Sequence, residues 1–251
     1  MGGHSHWATT KRHKMAVDNK RGKAFTKVIR EITVAARMGG GDPNGNPRLR
    51  LAMLKAREQN MPQDNIKRAI QKGTGELPGQ TIEELTYEGY GPGGVAIMIE
   101  CMTDNRNRTL PEIRHLLTRY AGSMGEVGCV GWLFEKKGYI IVERAKADEE
   151  KLMTLLLEAG GEDLRTDGDR YEVLSEPSAF ESVKRALEQH AIPMALAEVA
   201  PVPKNTVKLE GKAAEQMVRL MEALEDHDDV QKVWANFDIA DEVMEQVAAN
   251  S

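Results

Sequence analysis

The chain has 251 residues, 41% hydrophobic and 29% charged, with 34 Lys and Arg against 39 Asp and Glu, for a net charge of −5. This is globular composition, long enough for one to three domains. No 18-residue apolar run marks a membrane span, the first residues lack the apolar stretch of a secretion signal, and two cysteines cannot build a disulfide framework. These features predict a cytoplasmic protein with no membrane contact, in which Cys101 and Cys129 are buried free thiols.

The modest net charge hides a step. Residues 1–75 hold 16 Lys and Arg against 5 Asp and Glu, a net of +11, and the other 176 hold 18 against 34, a net of −16. Such asymmetry points to a head that binds a polyanion and a body that does not. At the start, Lys11, Arg12, His13 and Lys14 follow one another with no apolar periodicity. They read as a cationic arm that binds phosphates by counterion release. Trp7 could stack on a base or pack on the head. His4, His6 and His13 lack the further ligands a zinc site needs, so no metal is expected.

Three amphipathic helices follow. From Asp18 to Met38 the apolar stripe is Phe25, Val28, Ile29, Ile32 and Ala36, with Lys20, Lys23, Lys27, Arg30 and Arg37 opposite it. Gly39 to Pro43 stops this helix. Asn46 and Pro47 then offer an N-cap and first turn for a helix with Leu49, Ala52, Met53 and Ala56 inward and Arg48, Arg50, Lys55 and Arg57 outward. After Met61-Pro62, a third helix places Ile66, Ala69 and Ile70 inside and Lys67, Arg68 and Lys72 outside, and Gly73 and Gly75 end it. The result is a nucleic-acid-binding domain over residues 1–76, a basic arm followed by a three-helix bundle.

Gly73 to Gly79 reads as a linker that lets the head-to-body angle vary. Gly89, Gly91 and Gly94 match G-x-G-x-x-G, but Val95 to Cys101 is a strand where a dinucleotide site needs a helix, so no cofactor is expected. Thr109 with Glu112 reads as a capping box, and a strand is expected near Val130 to Phe134, so residues 82–135 read β-β-α-β. Residues 136–203 read β-α-β-β-α-β, the ferredoxin-like order, with Asp148 as a cap, Asp167-Gly168 as a hairpin turn, Pro177 opening the second helix and a last strand near Met194 to Val199. Residues 204–240 supply one helix and one strand, too little to bury their own apolar face. The expected architecture is therefore α+β: an N-terminal three-helix bundle followed by two ferredoxin-like α+β domains, one of residues 82–135 plus 204–240 and a second, 136–203, inserted in the first.

Gly3-His4-Ser5, Lys20-Arg21-Gly22-Lys23, Gly39-Gly40-Gly41-Asp42-Pro43, Asn46-Pro47-Arg48-Leu49-Arg50, Tyr87 to Gly94 and Thr103 to Thr109 resemble the signature of the YebC/PmpR family. The sequence departs from that signature at His6 and in the order of Lys11 to Lys14. The resemblance implies a three-domain cytoplasmic DNA-binding transcriptional regulator. A mitochondrial relative that activates translation, and the family's connection with the ribosome, imply a translation factor acting on ribosomal RNA as the alternative.

The candidate nucleic-acid contacts are Lys11, Arg12, Lys14, Lys20, Arg21, Lys23, Lys27, Arg30, Arg48, Arg50, Arg57, Lys67, Arg68 and Lys72, with His4, His6 and Trp7 as further candidates. Glu at Lys20, Lys23 and Lys27 is expected to weaken binding. The acidic body would face away from the polyanion, open to a protein partner. A catalytic role is not expected: the polar run Asp104 to Arg108 lacks a nucleophile and base, and only a pocket joining Asp104, Arg106 and His115 would supply one.

Overall fold

The computed structural model describes residues 18–240 and Val243. The head consists of α1 (Asp18–Gly39), α2 (Pro47–Glu58) and α3 (Gln63–Thr74). Val28, Ile32, Ala35 and Ala36 of α1 close on Leu49, Ala52 and Ala56 of α2, Met61, and Ile66 and Ala69 of α3. Asn46 caps α2, its carbonyl oxygen accepting from the Leu49 N–H at 3.0 Å, a bond of a type worth about 1 kcal/mol. Its amide nitrogen also donates to the Ala35 and Gly40 carbonyls, which ties the end of α1 to the start of α2.

Gly73 does not end the third helix. It lies inside α3 where α1 crosses, and Gly75, at φ +84°, is the left-handed cap. A Cβ on Gly73 would stand 2.4 Å from the Thr33 carbonyl oxygen and 2.8 Å from the Ala36 Cβ. Gly73→Ala is therefore expected to lower head stability by about 1–3 kcal/mol, because backbone must move to admit it. Urea unfolding followed by circular dichroism checks this, and an unshifted midpoint would show that the crossing yields freely.

In the body, β1 (Glu83–Tyr90) and β2 (Ala96–Thr103) form the expected glycine-turned hairpin. It sits at the centre of a sheet ordered β3-β1-β2-β9. The third strand is not at Val130 to Phe134. It is the two-residue β3 (Ser123–Met124), and residues 131–133 form a single 3-10 turn. The Glu88 carboxylate accepts the N–H groups of Gly128, Val130 and Gly131 at 2.7–2.8 Å, which gathers this segment into a loop instead of a ladder. Burial would raise the Glu88 carboxyl, but those three bonds outweigh it and hold it below its ordinary value. Cys129 in this loop is only half-buried, whereas Cys101 is buried as expected.

The capping box also gives way to another arrangement. Helix α4 (Arg106–Arg119) is capped by Asn105, and Thr109 is a buried residue of its first turns. Strand β9 (Val230–Ala235), which follows helix α7 (Gly211–Asp226), returns to pair with β2, Ile97 opposite Ala235 and Ile99 opposite Val233. Ile97, Ile99, Ile113, Leu117, Met217, Leu220 and Leu224 form the core between this sheet and helices α4 and α7. A short parallel pair, β8 (Val207–Lys208) with β10 (Phe237–Asp238), closes the edge of this unit.

Between β3 and β8 the chain builds β4 (Phe134–Glu143), α5 (Glu149–Ala159), β5 (Gly161–Asp167), β6 (Arg170–Ser175), α6 (Phe180–Gln189) and β7 (Leu196–Pro203). Their sheet runs β5-β6-β4-β7, the ferredoxin-like order. Asp148 caps α5 as expected. Three local details shift. Asp167 pairs with Arg170, so the hairpin turn is Gly168-Asp169. Pro177 lies in the turn ahead of α6, and β7 runs later and longer than 194–199. One face of this sheet packs on α5 and α6 through Ile140, Val142, Leu152, Leu156, Val183 and Leu187. The other packs on the first sheet through Phe134, Tyr139, Ile141 and Leu196 against Ala96 and Trp234. The body is thus layered helix, sheet, sheet, helix, an α+β arrangement.

Candidate nucleic-acid interface

The basic side of α1 does not lie open. It is applied to the end of α7 and the loop that leads to β9, residues 225–229. The Lys23 ammonium meets an Asp226 carboxylate oxygen at 2.6 Å and donates to the Asp226 carbonyl at 3.2 Å. Lys27 donates to the Glu225 carbonyl at 2.6 Å. Arg30 donates to the Asp228 carbonyl and pairs with Asp229 at 2.6 Å. Arg48 bridges Glu31 of its own bundle and Glu84 of β1, and its donated hydrogen bonds to Glu84 and Glu31, opposed by burial, hold its guanidinium pKa above the ordinary arginine value. Helical periodicity places a cation away from the apolar stripe, but the partner that covers it comes from about 200 residues along the chain.

Asp229 is the centre of this junction. Its side chain is 1% exposed. One oxygen accepts from Thr109 at 2.6 Å, Arg108 at 2.7 Å and Thr103 at 3.2 Å. The other meets Arg30 as an ion pair outside hydrogen-bond geometry. Burial pushes the carboxyl up, but the Thr109 and Arg108 bonds and the Arg30 charge outweigh that and hold it below the ordinary aspartate value. The Asp229 N–H donates to His227 Nδ1 at 3.1 Å, and His227 Nε2 lies 2.9 Å from a Glu112 oxygen. Glu112, His227 and Asp229 therefore place three ligand atoms within 4.8 Å of one another. Arg30 and Arg108 already neutralise Asp229 from two sides, and a cation there would meet two guanidinium groups, so the triad does not suit a metal.

The remaining head cations are open. Arg50 is exposed and donates to the Pro43 carbonyl at 3.2 Å. Arg57, Lys67, Arg68 and Lys72 are exposed, and none is in an ion pair with another described residue. Lys20 and Arg21 lie in the first turns of α1, where only the backbone is described. His4, His6, Trp7, Lys11, Arg12 and Lys14 lie outside the described residues.

A cleft of about 760 Å³ runs between α1 and α4, lined by Lys23, Arg30, Arg108, Glu112, His115 and residues 226–229, and by neither Asp104 nor Arg106. This cleft does not join the three residues that a catalytic reading of the Asp104 to Arg108 run required. Sequence reasoning missed Glu84, Asp226 and Asp229 as partners of the head. The signal was present: Glu225-Asp226-His227-Asp228-Asp229 puts four carboxylates in five residues, a complement to the basic side of α1.

Comparison with known proteins agrees over most of the chain. The profile of the TACO1/YebC protein N-terminal domain matches residues 5–76, and that of the TACO1/YebC second and third domain matches residues 82–237. A probable transcriptional regulatory protein of Geobacter sulfurreducens is 57% identical over 98% of this chain and all of its own length. One of Pelotomaculum thermopropionicum is 58% identical over 96% of this chain and all of its own length. The crystal structure of a conserved hypothetical protein from Aquifex aeolicus superposes with a TM-score of 0.77 at 46% identity, covering 90% of this chain and 94% of that one. With both profiles matched in sequence order and these relatives aligned nearly end to end, the chain belongs to the TACO1/YebC family.

Proposed function

We propose that this chain is a nucleic-acid-binding regulator of gene expression, a cytoplasmic transcriptional regulator that contacts DNA through its basic head and is not an enzyme. The carrying observation is that Arg57, Lys67, Arg68 and Lys72 stand exposed and in no ion pair with another described residue, while Lys23, Arg30 and Arg48 of the same bundle are held by carboxylates. The relatives' names as probable transcriptional regulatory proteins support the reading, and no helix is long and apolar enough to cross a membrane among the described residues. In this proposal residues 1–76 form the binding domain, with the arm residues Lys11, Arg12 and Lys14 adding phosphate contacts. Residues 82–135 with 204–240, and the inserted 136–203, form an acidic platform that projects from the polyanion toward a protein partner.

Anisotropy of a fluorescein-labelled DNA duplex titrated with the full chain at several salt concentrations tests this. Five phosphate contacts, from Arg50, Arg57, Lys67, Arg68 and Lys72, give a log–log salt slope of about −4.5, and contacts from the arm steepen it. Absence of binding at low salt would overturn the proposal.

A further inference from the structure

The segment Glu225–Asp229, the end of α7 and the loop after it, presents oxygen acceptors to α1: two carboxylates, from Asp226 and Asp229, and the backbone carbonyls of Glu225, Asp226 and Asp228. The cations they engage, Lys23, Lys27 and Arg30, fall at i, i+4 and i+7, one row along the helix. A row of anionic and carbonyl oxygens against a row of Lys and Arg is the chemistry that a phosphate backbone offers the same side chains. Building on the reading of the head as a nucleic-acid-binding domain, we infer that this segment is a displaceable latch. It occupies the α1 cations in the free protein, and the phosphates of a bound DNA duplex expel it and take Lys23, Lys27 and Arg30 for themselves.

On parting, one Asp229 oxygen loses Arg30, and Glu84, with a side chain 39% exposed, passes from Arg48 to water. Asp229 keeps Arg108, Thr109 and Thr103, all of the body, when Arg30 leaves. Arg48 keeps Glu31, of the head, when Glu84 leaves. Asp226 and Lys23 are already more than two-fifths exposed and pass to water or phosphate. The apolar cores do not cross the junction: the head cluster holds residues of the bundle alone, and none of the three body clusters holds a residue of the head. What joins the two parts beyond the covalent linker includes the ion pairs of Lys23, Arg30 and Arg48, which salt and competing anions weaken. The cleft beside α1, lined by Lys23, Arg30 and Asp226, gives a phosphate a route to the row.

A water-soluble carbodiimide condenses a lysine amine with a carboxylate in contact, and the carbodiimide takes up the oxygen as urea. The Lys23–Asp226 pair at 2.6 Å is placed for this reaction. In the full-length free protein the linked peptide is expected by mass spectrometry, and Asp226→Asn abolishes it. Saturation with a DNA duplex is expected to reduce the linked peptide at least about fivefold. Asp226→Asn is expected to bind the duplex about three- to tenfold more tightly, on the scale of one phosphate contact regained. Glu158→Gln, an equal charge change on α5 of the inserted unit, leaves affinity unchanged. Duplex binding with an undiminished cross-link and no gain from Asp226→Asn would overturn the latch while leaving the head as the binding domain. Failure of both wild type and Asp226→Asn to bind at low salt would overturn the latch together with the reading on which it rests.

Discussion

Replacing Arg57, Lys67 and Arg68 together by Glu is expected to lower affinity for duplex DNA by several hundredfold, on the order of 500-fold at 0.1 M salt. Each phosphate contact on B-DNA contributes about 0.9 to the log–log salt slope, so three lost contacts remove about 2.7 decades at that concentration and flatten the slope by the same amount. The three side chains are exposed and in no ion pair with another described residue, so the triple variant should keep its fold. A thermal midpoint within a few degrees of wild type is the control. An unchanged slope would remove the outer faces of α2 and α3 from the interface. The same substitutions at Lys23, Lys27 and Arg30 are a poorer test, because they also break the contacts of α1 with residues 225–229.

The second large effect concerns stability. Asp229→Ala leaves the Arg30 guanidinium, with a side chain 15% exposed, facing a cavity, and it takes away the shared acceptor of Arg108, Thr109 and Thr103. Removing one member of a buried ion pair costs about 3–5 kcal/mol, and the partial exposure of Arg108 places this case toward the lower end. The pH dependence has a definite sign. The Asp229 carboxyl is held below its ordinary value in the folded state, so its contribution is complete above the unfolded pKa of about 4 and is lost as pH falls through the lower folded pKa. The gap between wild type and Asp229→Ala in urea unfolding should therefore be full at neutral pH and narrow below about pH 4. A gap under about 0.5 kcal/mol at pH 7 would show that Asp229 does not hold the junction.

What could be read along the chain was local. The stripe through Val28 and Ile32, the Asn46-Pro47 helix start and the hairpin turn at Gly91 to Gly94 depend on neighbours within a few positions, and each lies where periodicity and turn chemistry place it. Two of the misreadings share one cause. Thr109 carries the residue type of a cap and Val130 the type of a strand, but distant partners, Asp229 and Glu88, decide what each does. The same limit applies to the head cations: a lysine opposite an apolar stripe is equally suited to a phosphate and to an aspartate, and only the folded chain brings Asp226 to Lys23. The exposed cations on α2 and α3 were legible as residue types, and what sets them apart became visible only when Lys23, Arg30 and Arg48 were found paired.

The pairing of β2 with β9 also imposes an order of events on synthesis. At about 5–20 residues per second, Ala235 follows Thr103 by roughly 7–26 seconds. Before that interval ends the head and the inserted β4–β7 unit have all their own strands and helices and can close. The β1–β2 hairpin, with Ile97 and Ile99 on the edge that β9 will occupy, has no such partner. A strand made late completes one of the first parts of the body to be made, so a ribosome that stalls before residue 230 leaves a chain with its head and insertion formed and one apolar strand edge unpaired.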